Sequence, residues 1–150
     1  MLRSFLIGLT AGSRSLTPLA AVSEAARQGQ LPNRQMRWLG NPLVSFGSKA
    51  LAAGELLGDK WTKAPDRIVP AGIAARLVTG ALAGAALAPR KQIALGAALG
   101  ATAAVGAAFI TFHARMAALR RYGQTSSGLV EDALTLAASE AVLLSGRRRR

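Results

Sequence analysis

Five ionisable residues stand inside the apolar runs of this sequence: Arg14, Lys49, Glu55, Arg76 and Glu140. Asp59, Lys60, His113, Arg115, Glu131 and Asp132 flank such runs. A charge at the centre of a membrane helix costs about 2.5–3.5 kcal/mol on insertion scales, so charges in such places need partners or water. Glu55 and Asp59 are four residues apart and share one helix face. Two carboxylates on one face resist simultaneous ionisation unless a base stands between or opposite them. Arg14 and Arg76 are the bases at hand. The expectation is a buried charge cluster of Arg14, Glu55, Asp59 and Arg76, edged by Lys60 and joined by Glu131 or Asp132. Such a cluster suits proton- or ion-coupled transfer, or an anion held by the arginines. The same charges would equally serve as interhelical salt bridges that fix packing. Lys49 is expected to run its stem toward the nearer interface.

Other chemistries find less support. His113 is the single histidine and there are no cysteines, so no metal site is expected. His113 and Arg115 fit a proton relay or a headgroup contact, or more simply cations at a helix C-terminus. Gly8-x3-Gly12 and Gly80-x3-Gly84 lack a following Lys-Ser/Thr, so neither is a phosphate-binding loop. Ser13-Arg14-Ser15 has no local His partner. The balance is against an enzyme, and no cofactor is expected.

The elements that must position these charges are apolar helices. Hydrophobic residues make up 51% of the 150-residue chain but aromatics only 5%, so the apolar content is mostly Ala and Leu, with 16 glycines. Soluble cores fill volume with larger side chains, whereas Ala and Gly suit helices that approach closely in lipid. About five spans are read within a single domain, residues 1–150. The first covers Leu2–Ala26 and is broken near Thr17-Pro18, because Pro18 cannot donate to a helix. The second lies between Trp38 and Trp61, opened by Asn41-Pro42, with a tryptophan for each interface. The third is Ala71–Pro89 and the fourth Gln92–Phe112, joined by a turn short enough to make them antiparallel neighbours. Tyr122–Gly128 reads as a polar loop, and Leu129–Leu144 as the last span.

Small residues recur four apart at Gly8/Gly12, Gly54/Gly58, Gly80/Gly84 and Gly96/Gly100. That spacing makes flat faces for helix contact, within the chain or between copies in a homo-oligomer. The net charge is +12, with basic residues concentrated between the apolar runs and in Arg147–Arg150. Anionic lipid headgroups are the natural counterpart. A nucleic acid is not, because no basic helix face or aromatic-interleaved basic stretch appears. Arg120 and Arg121 read as headgroup anchors. The four terminal arginines favour a cytoplasmic C-terminus. Nine basic residues against seven on the two sides leave dual topology open.

An ordered set of short motifs carries a family resemblance. It comprises Gly8-Leu9-Thr10-Ala11-Gly12-Ser13-Arg14 followed by Thr17-Pro18-Leu19, then Glu55-x3-Asp59-Lys60, His113-Ala114-Arg115, and Glu131-Asp132 opening an apolar helix. The chain is similar to the bacterial domain-of-unknown-function family 4126, small polytopic membrane proteins. The resemblance implies a multi-pass protein of the inner (plasma) membrane and brings no activity with it. The fold expected is therefore an all-α integral membrane bundle. Three functions are carried forward: a transporter or channel for an ion or small solute, a membrane scaffold or accessory subunit, and a lipid-headgroup enzyme using His113, Arg115 and Lys60.

Overall fold

The structure is a computed structural model that describes residues 1–58, 69–122 and 124–146; the side chains of residues 56–58, 118–122 and 124–127 lie outside that description. The described residues are helical, with no strand. The helices are α1 (Leu2–Ser13), α2 (Leu16–Arg27), α3 (Pro42–Gly58), α4 (Pro70–Leu87), α5 (Ile93–Tyr122) and α6 (Gln124–Leu144). Two 3₁₀ turns, Arg34–Gly40 and Arg90–Gln92, precede α3 and α5.

Local chemistry sets several boundaries. Gly29 adopts φ 70° just beyond α2. Its N–H reaches the Ala26 carbonyl at 3.0 Å and that of Gln30 reaches Ala25 at 2.9 Å, the paired closure of a Schellman turn. Asn33 accepts from the Gln35 N–H at 2.9 Å and starts the first 3₁₀ turn. Asn41 accepts from Leu43 N–H at 2.9 Å, so α3 begins with Pro42 in the first turn, as Asn41-Pro42 predicts. Pro70 opens α4 in the same way.

Helices α1, α4 and α5 form the tightest part of the fold. In α4 and α5, Gly80 meets Gly100 and Gly84 meets Gly96, an antiparallel pair. Gly8 and Gly12 of α1 follow α5 in the parallel sense, against Gly100–Ala103 and Ala104–Ala108. Gly100 is thus pressed from two sides, and a Cβ there would overlap the Gly80 carbonyl. On the other side, α3 and the first 3₁₀ turn pack on α2, and α6 touches α1 and α2. At its far end, α6 is held by Arg3, whose Nε and Nη2 donate to the carbonyls of Val142 (3.1 Å) and Leu143 (3.3 Å). A cation there satisfies terminal carbonyls that have no partner within the helix.

Polar and charged residues share the interior with an apolar core of Ile7, Val22, Leu31 and Leu39, and several large apolar side chains face outward. Ser4, Ser23, Ser139, Arg14 and Arg76 are buried, while Leu43 is 82%, Phe46 75% and Ile110 70% exposed. Solvent-exposed apolar residues are common singly, but buried charges and large apolar faces need a cause. Two stretches, Pro70–Leu87 and Arg90–Ala117, are long and apolar enough to cross a membrane. Helices α1 and α2 have 12 residues each and α3 has 17; α6 has 21 but includes Glu131, Asp132 and Glu140.

Three boundaries differ from the sequence reading. The fourth helix does not stop at Phe112 but continues to Tyr122, because residues 114–122 are almost all good helix formers. The polar loop expected over Tyr122–Gly128 is largely helical, since α6 begins at Gln124. Trp38 sits half-exposed in the 3₁₀ turn before α3 and not in the span itself, and Trp61 lies outside the described residues.

Candidate functional site

The first two helices meet at a break that gathers the buried charges. Arg14 is extended, at φ −135° and ψ 115°, between the last residue of α1 and Ser15. The cause is Pro18. In a continuous helix its ring would collide with the carbonyl four residues back, which belongs to Arg14. With the helix interrupted there, Pro18 falls in the first turn of α2, where its missing N–H has no intrahelical use. The break therefore lies three to four residues before the proline expected to mark it.

Interrupting a helix leaves carbonyls on one side and N–H groups on the other without intrahelical partners. Each set finds a charge of the matching sign. The α2 end is capped by Glu55 from α3. Its Oε1 accepts from the Ser15 N–H at 3.0 Å and from Ser15 Oγ at 2.9 Å, and its Oε2 accepts from the Leu16 N–H at 2.9 Å. The α1 end is met by Arg76 from α4, whose Nε donates to the Gly12 carbonyl at 3.0 Å. Arg76 also donates from Nη1 to Gly72 at 3.0 Å. An anion at a helix N-terminus and a cation at a C-terminus both align with the helix dipole.

Arg14 links the break to α6. Its Nη2 pairs with Asp132 Oδ1, and its Nη1 donates to the Glu55 carbonyl at 3.4 Å. Arg14 is only 2% exposed and Arg76 5%. A shell of hydroxyls surrounds them: Ser13 Oγ and Thr135 Oγ1 are 2.8 Å apart, and Thr135 donates back to Glu131. Glu131 itself faces Arg115 of α5 at 3.5 Å. Arg76 lies about 9 Å along α4 from its start and Asp132 about 12 Å along α6, at 1.5 Å per residue.

The structure thus brings together Arg14, Glu55, Arg76 and Asp132, with Glu131 and Arg115 as an adjacent pair. Asp59 and Lys60 lie outside the described residues, as do Lys63, Arg67 and Arg147–Arg150, and the side chains of Arg120 and Arg121. Glu55 differs from its sequence reading. Its carboxylate binds backbone N–H groups and the Ser15 hydroxyl, while the Arg14 guanidinium pairs with Asp132 and donates to the Glu55 carbonyl. Lys49 pairs with Glu24 of α2 at 2.6 Å, an acid that the sequence pattern does not single out; Arg27 shares it at 2.7 Å. Glu140 is exposed and takes no place in the cluster.

His113 is exposed on α5 and shares a 2.7 Å hydrogen bond with the Phe109 carbonyl one turn back. It is not at a helix C-terminus, because α5 runs nine residues further. Arg115, two residues on, pairs with Glu131 of α6. No cluster of His, Cys, Asp or Glu that could hold a metal occurs among the described residues. Reading charges alone misses the backbone half of this site, the N–H groups of Ser15 and Leu16 and the Gly12 carbonyl. Pro18 and the clash it imposes four residues back are the signal that points to it.

No match was found among curated proteins or among solved structures. The family described as Domain of unknown function (DUF4126) matches residues 1–144, which contain the break and every charge around it, and the chain belongs to that family.

Proposed function

We propose that this chain is a small multi-pass protein of the bacterial inner membrane that moves an ion or small solute past the α1–α2 break. The observation that carries the reading is a discontinuous helix whose two ends meet opposite charges, the buried Arg76 and the half-buried Glu55. Non-helical backbone at membrane depth is tolerated only where protein or water satisfies it. In transporters, such breaks point their N-termini at anions and their carbonyl ends at cations. Here Glu55 occupies the anion position at α2 and Arg76 the cation position at α1. Protonating Glu55, or displacing it with a solute anion, would free the α2 N-terminus; the Arg14–Asp132 pair would hold α1 in place meanwhile. The membrane assignment is supported by the two long apolar helices and by large apolar side chains facing outward around buried polar ones.

A scaffold or accessory subunit is the second reading. One observation favours it: Arg14, Glu55, Arg76 and Asp132 all have partners within the chain. Self-association would use small residues not consumed inside the fold, and Gly47, Gly54 and Gly106 face open space. Lipid headgroups and the terminal arginines would place the C-terminus in the cytoplasm.

Proton and anion flux into liposomes, measured for wild type and Glu55→Gln, separates the two. Flux lost in a folded Glu55→Gln protein supports transport. A wild type that passes no ion, with Glu55→Gln unfolding earlier, leaves the scaffold. Reporter fusions after Arg121 and Arg150 test the topology, and the same side for both would exclude a final crossing helix.

A further inference from the structure

A second basic site lies away from the break, at the corner where α2 turns into α3. A cavity of about 420 Å³ opens there, with Arg34 and Arg37 from the first 3₁₀ turn and Arg90 from the α4–α5 turn on its walls. Leu31 and Pro32 supply an apolar side. Arg34 and Arg37 come from one turn and Arg90 from a segment more than fifty residues away, so the fold brings the third arginine to the other two. No carboxylate among the described residues pairs with any of the three. Arg27, a few residues away, shows the contrast: it is neutralised by Glu24. The scaffold under the arginines is well fixed. Gly29 closes α2, Asn33 caps the turn, and Leu31, Met36 and Leu39 are buried beneath it. Ser23 Oγ ties the turn to α2 through the Leu39 carbonyl at 2.6 Å.

Guanidinium groups stay charged at any physiological pH, repel one another, and present paired donors that match phosphate oxygens. An open cavity lined by three of them, all exposed, with no acid among its lining residues fits an anion carrying several oxygens. We propose that this cavity binds a phosphate group. The source is either the headgroup of an anionic phospholipid, with the exposed Trp38 next to Arg37 in the same turn for the interfacial region, or free phosphate. The site does not depend on the transport reading and survives its failure.

The test uses the full chain in a neutral detergent, titrated calorimetrically with short-chain phosphatidylglycerol and, separately, with inorganic phosphate. Saturable binding of either probe is expected, roughly ten-fold or more weaker in Arg34→Gln/Arg37→Gln/Arg90→Gln, since each charged hydrogen bond contributes on that scale. Lys91→Gln, which removes an equal charge from the same turn but lines no part of the cavity, should change affinity by less than about two-fold. Binding of the lipid alone assigns the headgroup, and binding of both assigns the phosphate itself. Binding of neither probe overturns the proposal, as does a Lys91→Gln loss equal to that of Arg90→Gln. If the triple variant loses helicity by circular dichroism, Arg37→Gln and Arg90→Gln singly carry the same comparison.

Discussion

Helix α1 is held in two contrasting ways along its short length. Its Gly8–Gly12 face lies against α5, and α5 lies against α4, through backbone surfaces with almost no side chain between them. Its last residues instead meet Arg76, Arg14–Asp132 and the Ser13–Thr135 hydroxyls. The first contact is steric: it needs small residues and nothing else. The second is electrostatic: each group has value only while its partner remains. In the membrane location proposed above, close packing and internal polar bonds would replace the hydrophobic effect as the sources of association. One helix here uses both, and they meet at Gly12, which packs on α5 while its carbonyl accepts from Arg76.

Substitutions at each end sharpen this contrast. The largest loss is expected for Asp132→Ala, which takes the Asp132 carboxylate away from the buried Arg14 guanidinium. Breaking a buried pair costs about 3–5 kcal/mol, readable as an earlier midpoint in a denaturing-detergent titration. Arg14→Met with Asp132→Leu should recover most of that loss. If the double variant is as unstable as the single one, the pair does more than neutralise itself.

Gly100→Leu comes next. Overpacking costs about 1–3 kcal/mol, and at Gly100 both Gly80 and Gly84 must retreat. Unchanged thermal unfolding would show that the α4–α5 seam is looser than its backbone contacts require. Glu55→Gln keeps an acceptor but loses the charge at the α2 N-terminus. A loss of about 1–2 kcal/mol follows from removing a charged cap, together with faster amide exchange at Leu16. Equal exchange in both proteins would mean that Glu55 does not cap α2.

The smallest effect is expected at Gly54→Leu, under about 0.5 kcal/mol, because nothing lies within 4 Å of the position a Cβ would take there. This substitution therefore reports on self-association alone. A drop in oligomer size by sedimentation, with stability unchanged, would place a copy-to-copy contact on α3.

Much of the architecture is legible in the sequence because it is local. Asn41-Pro42 and Pro70 open helices where a proline's missing N–H costs little, and the short turn at Pro89–Lys91 makes α4 and α5 antiparallel neighbours. The Gly80/Gly84 and Gly96/Gly100 spacings meet one another as their flat faces allow. Gly54, with the same spacing, meets nothing, since the pattern carries no information on which face another helix will cover. The end of α5 is hidden because a charged stretch after an apolar run looks like a boundary, although its residues continue a helix readily.

The charges divide in the same way. That Arg14, Glu55 and Arg76 had to be satisfied follows from their type and from their place in apolar runs, since an unpaired buried charge is too costly to keep. That Arg14 takes Asp132, that Glu55 binds a helix end, and that Glu24 claims Lys49 and Arg27 depended on which helices lie side by side. The sequence by itself determined the all-α class, the flat glycine faces and the need for a break ahead of Pro18. Only the tertiary structure decided where the break falls among its neighbours and which charge answers each exposed end, because pairing energy depends on distances between residues far apart in the chain.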